Sequence, residues 1–293
     1  MAQIARRPIV LVLLAAACAR QPPFTAPSMG AMPFPVDSAR AQIAADGVAR
    51  RVIHSTTGPW TINVLYVDLD RCNAAEAVAS SDRAIGRVKT SDMLATLSHV
   101  QEVVGGVNGD FFNLQSGVPT NLLVIDGKMV TPPIKQPVLA FDSAGLPHIA
   151  FFTLENGRLQ PFHPLQAVGG RPVLVRDSAI VGDVDTFGQA SFRERNPRTA
   201  AGIARKGKRL ILAVVDGREY ENAGMTLRET ADLMLALGAR DAINLDGGGS
   251  TTMVFADPDS SGMLRVANHP SDKEGERTVG DALAIVKRRC HSR

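Results

Sequence analysis

The chain has 293 residues, a formal charge of only +3 and 45% hydrophobic residues, enough to bury a sizeable core in one large domain or two small ones. The charge is balanced, and neither a Lys/Arg stripe nor an aromatic stacking platform is present, so the sequence indicates no nucleic-acid partner. With 26 glycines and 18 prolines, it favours many short elements and turns over a helical bundle.

Residues 1–18 read as an export signal. Arg6 and Arg7 precede an apolar run over residues 9–17, and the small residues Ala15, Ala16 and Ala17 lead into Cys18. The run is too short to span a bilayer. Residues 14–18 also resemble a bacterial lipoprotein signal, in which Cys18 would carry the lipid; that lipid would be the chain's one link to a membrane. Ala15 departs from the usual leucine, so lipidation and plain secretion stay open. Cys72 and Cys290 then remain, as a disulfide closing a long loop or as two thiols. Residues 19–50, rich in Pro, Ala and Ser over their first part, read as a linker, and residues 51–289 as a single domain.

In chain order, residues 60–70 (WTINVLYVDLD) alternate apolar and polar in their first half and are rich in β-branched residues, giving the first firm strand. Residues 91–99 predict a short helix with Ser91 as cap. An apolar strand through Val103 and Val104 breaks at Asn108, Gly109 and Asp110, followed by Phe111 and Phe112. That stretch is either a tight turn with its aromatics in the core or an amide and a carboxylate before an aromatic wall suited to a sugar ring. The middle of the chain predicts three antiparallel hairpins, turning at Asp126-Gly127, at residues 143–145 and at Asp177-Ser178.

Residues 210–215 predict a strand that delivers Asp216, Gly217 and Arg218. Thr226 and Glu229 form a capping box for a helix over residues 226–237, which Gly238 ends. A strand over residues 242–245 follows, then Asp246, Gly247, Gly248, Gly249 and Ser250. The three glycines let bare N–H groups approach a ligand, although a structural hairpin loop fits the same pattern. Strand, helix and strand over residues 210–245 predict a right-handed crossover with Asp216 and Asp246 at one sheet edge. A polar loop with His269, Glu276 and Arg277 leads to a last strand over residues 282–286. The expected fold is therefore α+β: a mixed sheet core with several antiparallel β-hairpins, few helices and one crossover near the C-terminus.

Collected, the strand ends offer carboxylates for acid/base work, arginine for a phosphate and a glycine-rich loop. Several blocks in the same order resemble the phosphodiester glycosidase family: VNGDFFN at residues 107–113, NPRTAAGI at 196–203, VVDGR at 214–218, GMTLRETADLMLALGARDAINLDGGGSTTMV at 224–254 and ERTVGDAL at 276–283. Asp110 replaces the commoner glycine of the first block. The resemblance implies hydrolysis of a sugar phosphodiester, from the cell envelope or an exopolysaccharide, to free sugar and phosphomonoester. Phosphate is a good leaving group, so holding it and stabilising an oxocarbenium-like sugar matter more than strong acid help.

On that reading Asp246 and Asp216 are the candidate nucleophile or base, with Asp110 and Glu276 in proton transfer or sugar binding. Arg198, the Gly247, Gly248 and Gly249 amides and Ser250 take the phosphate. Asn108, Thr199, Arg218 and Arg277 complete the binding set. Asp110, Asp216 and Asp246 are hard ligands that suit calcium or magnesium, yet no EF-hand spacing or histidine pair is present, and no cofactor is expected. Two other functions stay open: a non-catalytic sugar-phosphate binding protein and a metal-dependent phosphodiesterase. No oligomeric state is read from the sequence.

Overall fold

The computed structural model describes residues 22–81, 84–188 and 190–289; the expected export signal and Cys290 lie outside them. The fold is a strand-dominated α+β architecture with few helices. An eight-stranded sheet runs in the order Ser38–Ala45, Val48–Ser55, Trp60–Asp68, Arg209–Val215, Arg198–Ala204, Asp241–Asn244, Val173–Arg176, Ala179–Ile180. A five-stranded sheet pairs Met263–Val266, Met253–Asp257, Glu102–Asn108, Asp281–Lys287 and Asn73–Ala79, and a second holds the hairpin strands between residues 123 and 169.

Strand Arg209–Val215 shows how the sequence builds the layers. Successive side chains of a strand point to opposite faces. Leu210, Leu212 and Val214 accordingly enter the core shared with the two five-stranded sheets. Ile211, Ala213 and Val215 face the other way, against helix Leu227–Ala236. A fully buried aliphatic side chain contributes about 1.5–3 kcal/mol, and with both faces covered a one-residue register slip would drive each set into the other core and mispack both.

The N-terminal stretch differs from the linker expectation. Strand Ser38–Ala45 pairs in register with Val48–Ser55, and Met29, Met32, Phe34 and Val36 pack on the helix-side core. Phe34 stacks on Trp60 at 4.7 Å. Widely spaced apolar residues among prolines show no period, yet each finds a core contact. Cys72 is disulfide-bonded; its expected partner, Cys290, is outside the described residues.

The predicted hairpins are present, and positive φ at Asp126 and Gly127 and at Asp177 and Ser178 makes their turns tight. The crossover is present in a different form. Arg209–Val215 and Asp241–Asn244 are both antiparallel to Arg198–Ala204, which lies between them. They are therefore parallel to each other but not adjacent, and their C-terminal ends deliver Asp216 and Asp246 to the same end of the sheet.

Helix Thr90–Ser98 begins one residue before its expected start. Ser91 is not its cap. The Glu276 carboxylate takes that place, accepting from Ser91 N at 2.8 Å and from Ser91 Oγ at 2.6 Å. Helix Leu227–Ala236 carries the expected capping box, with Glu229 N donating to Thr226 Oγ1 and Thr226 N to Glu229 Oε2. Thr226→Ala should lower stability by about 1 kcal/mol, seen as a fall of roughly 2–4 °C in Tm; an unchanged Tm would show that the cap contributes nothing.

Candidate active site

Four acidic residues stand at the ends of buried strands on one rim. Asp246 follows strand Asp241–Asn244, Asp216 follows Arg209–Val215, Asp110 follows Glu102–Asn108, and Asp281 opens Asp281–Lys287. Asp110 and Asp281 are 2% and 0% exposed, whereas Asp246 is only partly buried. Asp246 is thus the carboxylate at the mouth, with two more behind it.

Asn108 ties these strand ends together. Its Nδ2 donates to Asp246 O at 2.8 Å, and its Oδ1 accepts from Thr199 Oγ1 at 2.8 Å and Thr252 N at 3.1 Å. Both residues were expected to bind substrate. Instead, the buried Asn108 and Thr199 side chains hold three loops in register, and each makes its bonds inside the protein.

Burial pushes Asp246 up to about 6, opposed by the Ser250 hydroxyl, the Gly247 N–H and the guanidinium groups of Arg277 and Arg171. Gly247 N donates to Asp246 Oδ1 at 2.9 Å. Ser250 Oγ lies beside this carboxylate but outside strict hydrogen-bond geometry, and together with Thr251 Oγ1 and Thr252 Oγ1 it is buried without a partner.

The three glycines serve another purpose than the expected amide cradle. Gly247 N and Gly248 N are already committed, the latter to Pro197 O at 2.9 Å. A side chain at Gly248 would meet Arg218 Nη2 at 2.9 Å, and one at Gly249 would collide with Asp272 and Arg277. Absent side chains therefore let two arginines close on the Asp246 loop. Arg277 is held by Asp272 through Nε at 2.7 Å and Nη2 at 3.0 Å; Arg218 is exposed and donates to Asn196 Oδ1 at 3.2 and 3.1 Å.

Arg198, expected on the phosphate, has a different task. Its Nε donates to Met225 O at 2.8 Å, and its Nη2 to Phe192 O and Glu194 O at 2.8 and 2.7 Å. At 4% exposure it fastens the chain around residues 192–198 to the segment just before helix Leu227–Ala236. Burial, followed by Arg218, lowers its pKa to about 10. Arg171, which the sequence reading passed over, is an arginine of this rim. It is partly exposed, its guanidinium lies 4.3 Å from the Phe111 ring centroid, and its charge acts on both Asp110 and Asp246. Asn244 O accepts from Arg171 N at 2.8 Å, and Asn244 Nδ2 donates to Arg171 O at 2.7 Å.

Glu276, spent on capping a helix, is not an acid/base group of this rim. Phe112 is in the core beside that helix, leaving Phe111 as the aromatic at the site, 5.7 Å from the Phe192 ring. Asp216 sits on the same rim in a separate setting. Its Oδ1 accepts from Asn268 Nδ2 and His269 N, both at 3.0 Å, while Asn268 Nδ2 also reaches Thr251 O at 3.1 Å. Burial raises Asp216 to about 6. Among the charges acting on it are His269 and Glu219, whereas Asp110, Asp246 and Asp281 act on one another.

Asp281 is the other residue that sequence reasoning missed. Both omissions had a signal: Asp281 repeats the Gly-Asp step of Gly109-Asp110 at a strand end, and Arg171 follows two glycines. A side chain at Gly169 would lie 2.6 Å from Asp110 Oδ2, and one at Gly170 would lie 2.7 Å from Asn244 O. Among the described residues, no three His, Cys, Asp or Glu side chains are grouped so as to hold a metal ion. A groove of about 580 Å³ lies at the opposite end of strand Asp241–Asn244, lined by residues such as Ile149, Phe162 and Arg240.

A family profile described as phosphodiester glycosidase matches residues 101–286. The chain is 31% identical over 212 residues to the N-acetylglucosamine-1-phosphodiester alpha-N-acetylglucosaminidase of Mus musculus and 31% identical over 214 residues to that of Homo sapiens. In each case 62% of this chain aligns, and it spans 37% and 38% of those relatives' length. The catalytic domain of the zebrafish enzyme, auto-inhibited by its pro-peptide, superposes with a TM-score of 0.62 at 20% identity, over 86% of this chain and 88% of that one. A hypothetical protein from Synechocystis superposes at 0.66 with 14% identity, over 86% and 64%. The structural likenesses establish a shared fold, and the profile, which takes in the carboxylate rim from Asp110 to Asp281, shows that this chain belongs to the phosphodiester glycosidase family.

Proposed function

We propose that the protein hydrolyses the anomeric carbon–oxygen bond of a sugar phosphodiester, yielding free sugar and a phosphomonoester. The observation that carries this reading is the placement of Asp246: a strand-end acid in a partly buried residue, on whose carboxylate the charges of Arg277 and Arg171 act. A carboxylate facing the anomeric carbon stabilises positive charge as the bond lengthens, while arginines neutralise the departing phosphate. Phe111, already stacked under Arg171, offers an apolar face to a sugar ring.

In this scheme Asp246 either attacks the anomeric carbon or takes a proton from the water that does. The electron pair of the breaking bond leaves on the phosphate oxygen, and water supplies the new sugar hydroxyl. Arg171 and Arg277 replace Arg198 as the proposed phosphate ligands, with Arg218 at the outer edge. The disulfide at Cys72 supports an oxidising compartment, and with the export signal read at residues 1–18 it supports action outside the cytoplasm on envelope sugar phosphodiesters.

Hydrolysis in oxygen-18 water should place the label on the sugar. Label on phosphate would indicate a phosphodiesterase, and no turnover of any sugar phosphodiester would leave a binding protein. Asp246→Asn should lower kcat by at least about 100-fold; a rate unchanged by that substitution would remove Asp246 from the chemistry. Because burial raises Asp246 to about 6 and the ionised form is the active one, kcat/KM should climb with rising pH through about 6. Arg171→Ala should reduce kcat/KM by roughly 10- to 100-fold, the range expected for one lost charge-assisted hydrogen bond, chiefly through KM.

A further inference from the structure

Asp110 and Asp281 meet in the buried rim, both almost fully shut off from solvent. Asp110 N donates to Asp281 Oδ1 at 2.9 Å. A side chain at Gly109 would lie 2.7 Å from the Asp281 carboxylate, and the one at Gly169 is excluded by Asp110 in the same way. Asp110 Oδ2 is occupied, accepting from Asn121 N at 2.8 Å and Thr120 Oγ1 at 3.4 Å. The two remaining oxygens, Asp110 Oδ1 and Asp281 Oδ2, are buried and meet no donor in good hydrogen-bond geometry, although the Phe111 N–H also acts on the Asp110 carboxyl. Two charged oxygens left so would each bear a large desolvation penalty, whereas a proton on one of them supplies a donor for the pair.

We infer that Asp110 and Asp281 form a proton-sharing carboxyl pair behind Asp246, carrying one negative charge while the site is active. Asp281 is then a positioning residue acting through Asp110 and Asp246. Its consequence for catalysis rests on the glycosidase reading; its proton count does not. The charged groups facing the pair are Asp246 from its loop and Arg171 from the turn before strand Val173–Arg176, with Arg277 beyond Asp246. Burial raises Asp110 to about 7, and burial followed by the Asp110 charge raises Asp281 well above the carboxylate range. The pair therefore titrates as a unit.

Loss of the shared proton places a second negative charge behind Asp246. That charge repels an anionic phosphodiester and makes Asp246 harder to ionise. Both effects lower kcat/KM on the alkaline side, the first through KM. The pair thus sets the upper pH limit of a site whose lower limit is Asp246.

The test begins without substrate. Infrared difference spectra of the full chain near pH 7 should show the carbonyl band of a protonated carboxyl, lost in Asp281→Asn and in Asp110→Asn. With a sugar phosphodiester, wild-type kcat/KM should fall above about pH 7, and in Asp281→Asn that limb should move up by at least one pH unit. Asparagine keeps the Oδ1 that accepts from Asp110 N, so a merely structural Asp281 would leave the limb in place. Should Asp281→Asn not fold, Asp110→Asn removes the same ionisation and answers the question.

Absence of the band, or an alkaline limb unmoved by both substitutions, overturns the proposal. So does loss of the wild-type band on adding calcium or magnesium chloride at fixed pH, which would make the pair a cation site. If no sugar phosphodiester is turned over, the glycosidase reading fails while the infrared result still decides the proton.

Discussion

Gathering acidic side chains in a poorly solvated pocket is unfavourable twice over, because each loses water and each repels the others. The architecture around the Asp110, Asp246 and Asp281 carboxylates is arranged to offset both penalties. Backbone N–H groups of Asn121, Asp110 and Gly247 point at one carboxylate oxygen each. Arg171 and Arg277 bring positive charge from two sides. What these donors leave unmet is carried by protons, and a site that holds protons near neutrality suits acid/base chemistry.

The sheet topology makes that gathering possible. Strand Arg198–Ala204, buried along its length, fixes its two neighbours parallel to each other and so brings Asp216 and Asp246 to one end. Met253–Asp257 and Asp281–Lys287 both pair with Glu102–Asn108, which brings Asp110 and Asp281 to that same rim. Asn108 then joins the two sheets by bonding to Thr199 in one and to Thr252, next to the other. A small amide with three partners does the work expected of a ligand-binding group, and its value lies in rigidity: catalytic groups misplaced by an ångström lose much of their effect.

The arginines show the limits of assigning tasks by residue type. Arg198 lies in a motif that invites a phosphate, yet its Nε and Nη2 are spent on the carbonyl oxygens of Phe192, Glu194 and Met225. Arg171 has no motif beyond two glycines and a proline, yet it stacks on Phe111 and faces two of the acids. Glu276 and Ser91 likewise exchange expected parts, since a carboxylate far along the chain caps the helix that a local serine was expected to cap. Each reversal comes from a partner more than four residues away, and such partners leave no local pattern.

Local chemistry alone determined several features of this protein. The β-branched, partly alternating run at residues 60–68 and the apolar run at 210–215 gave buried strands, the Thr226/Glu229 box gave a capped helix, and Asp-Gly and Asp-Ser steps gave tight hairpins, because those propensities act over a few neighbouring residues. The Asp246 loop was legible for the same reason, an acid followed by three glycines being a local signal. Only the tertiary structure decided which acids share a pocket, which arginine is free to meet an anion, and that residues 29–45 belong to the packed fold. Those outcomes depend on sheet order and on contacts across more than a hundred residues, where distance along the chain says nothing about distance in space.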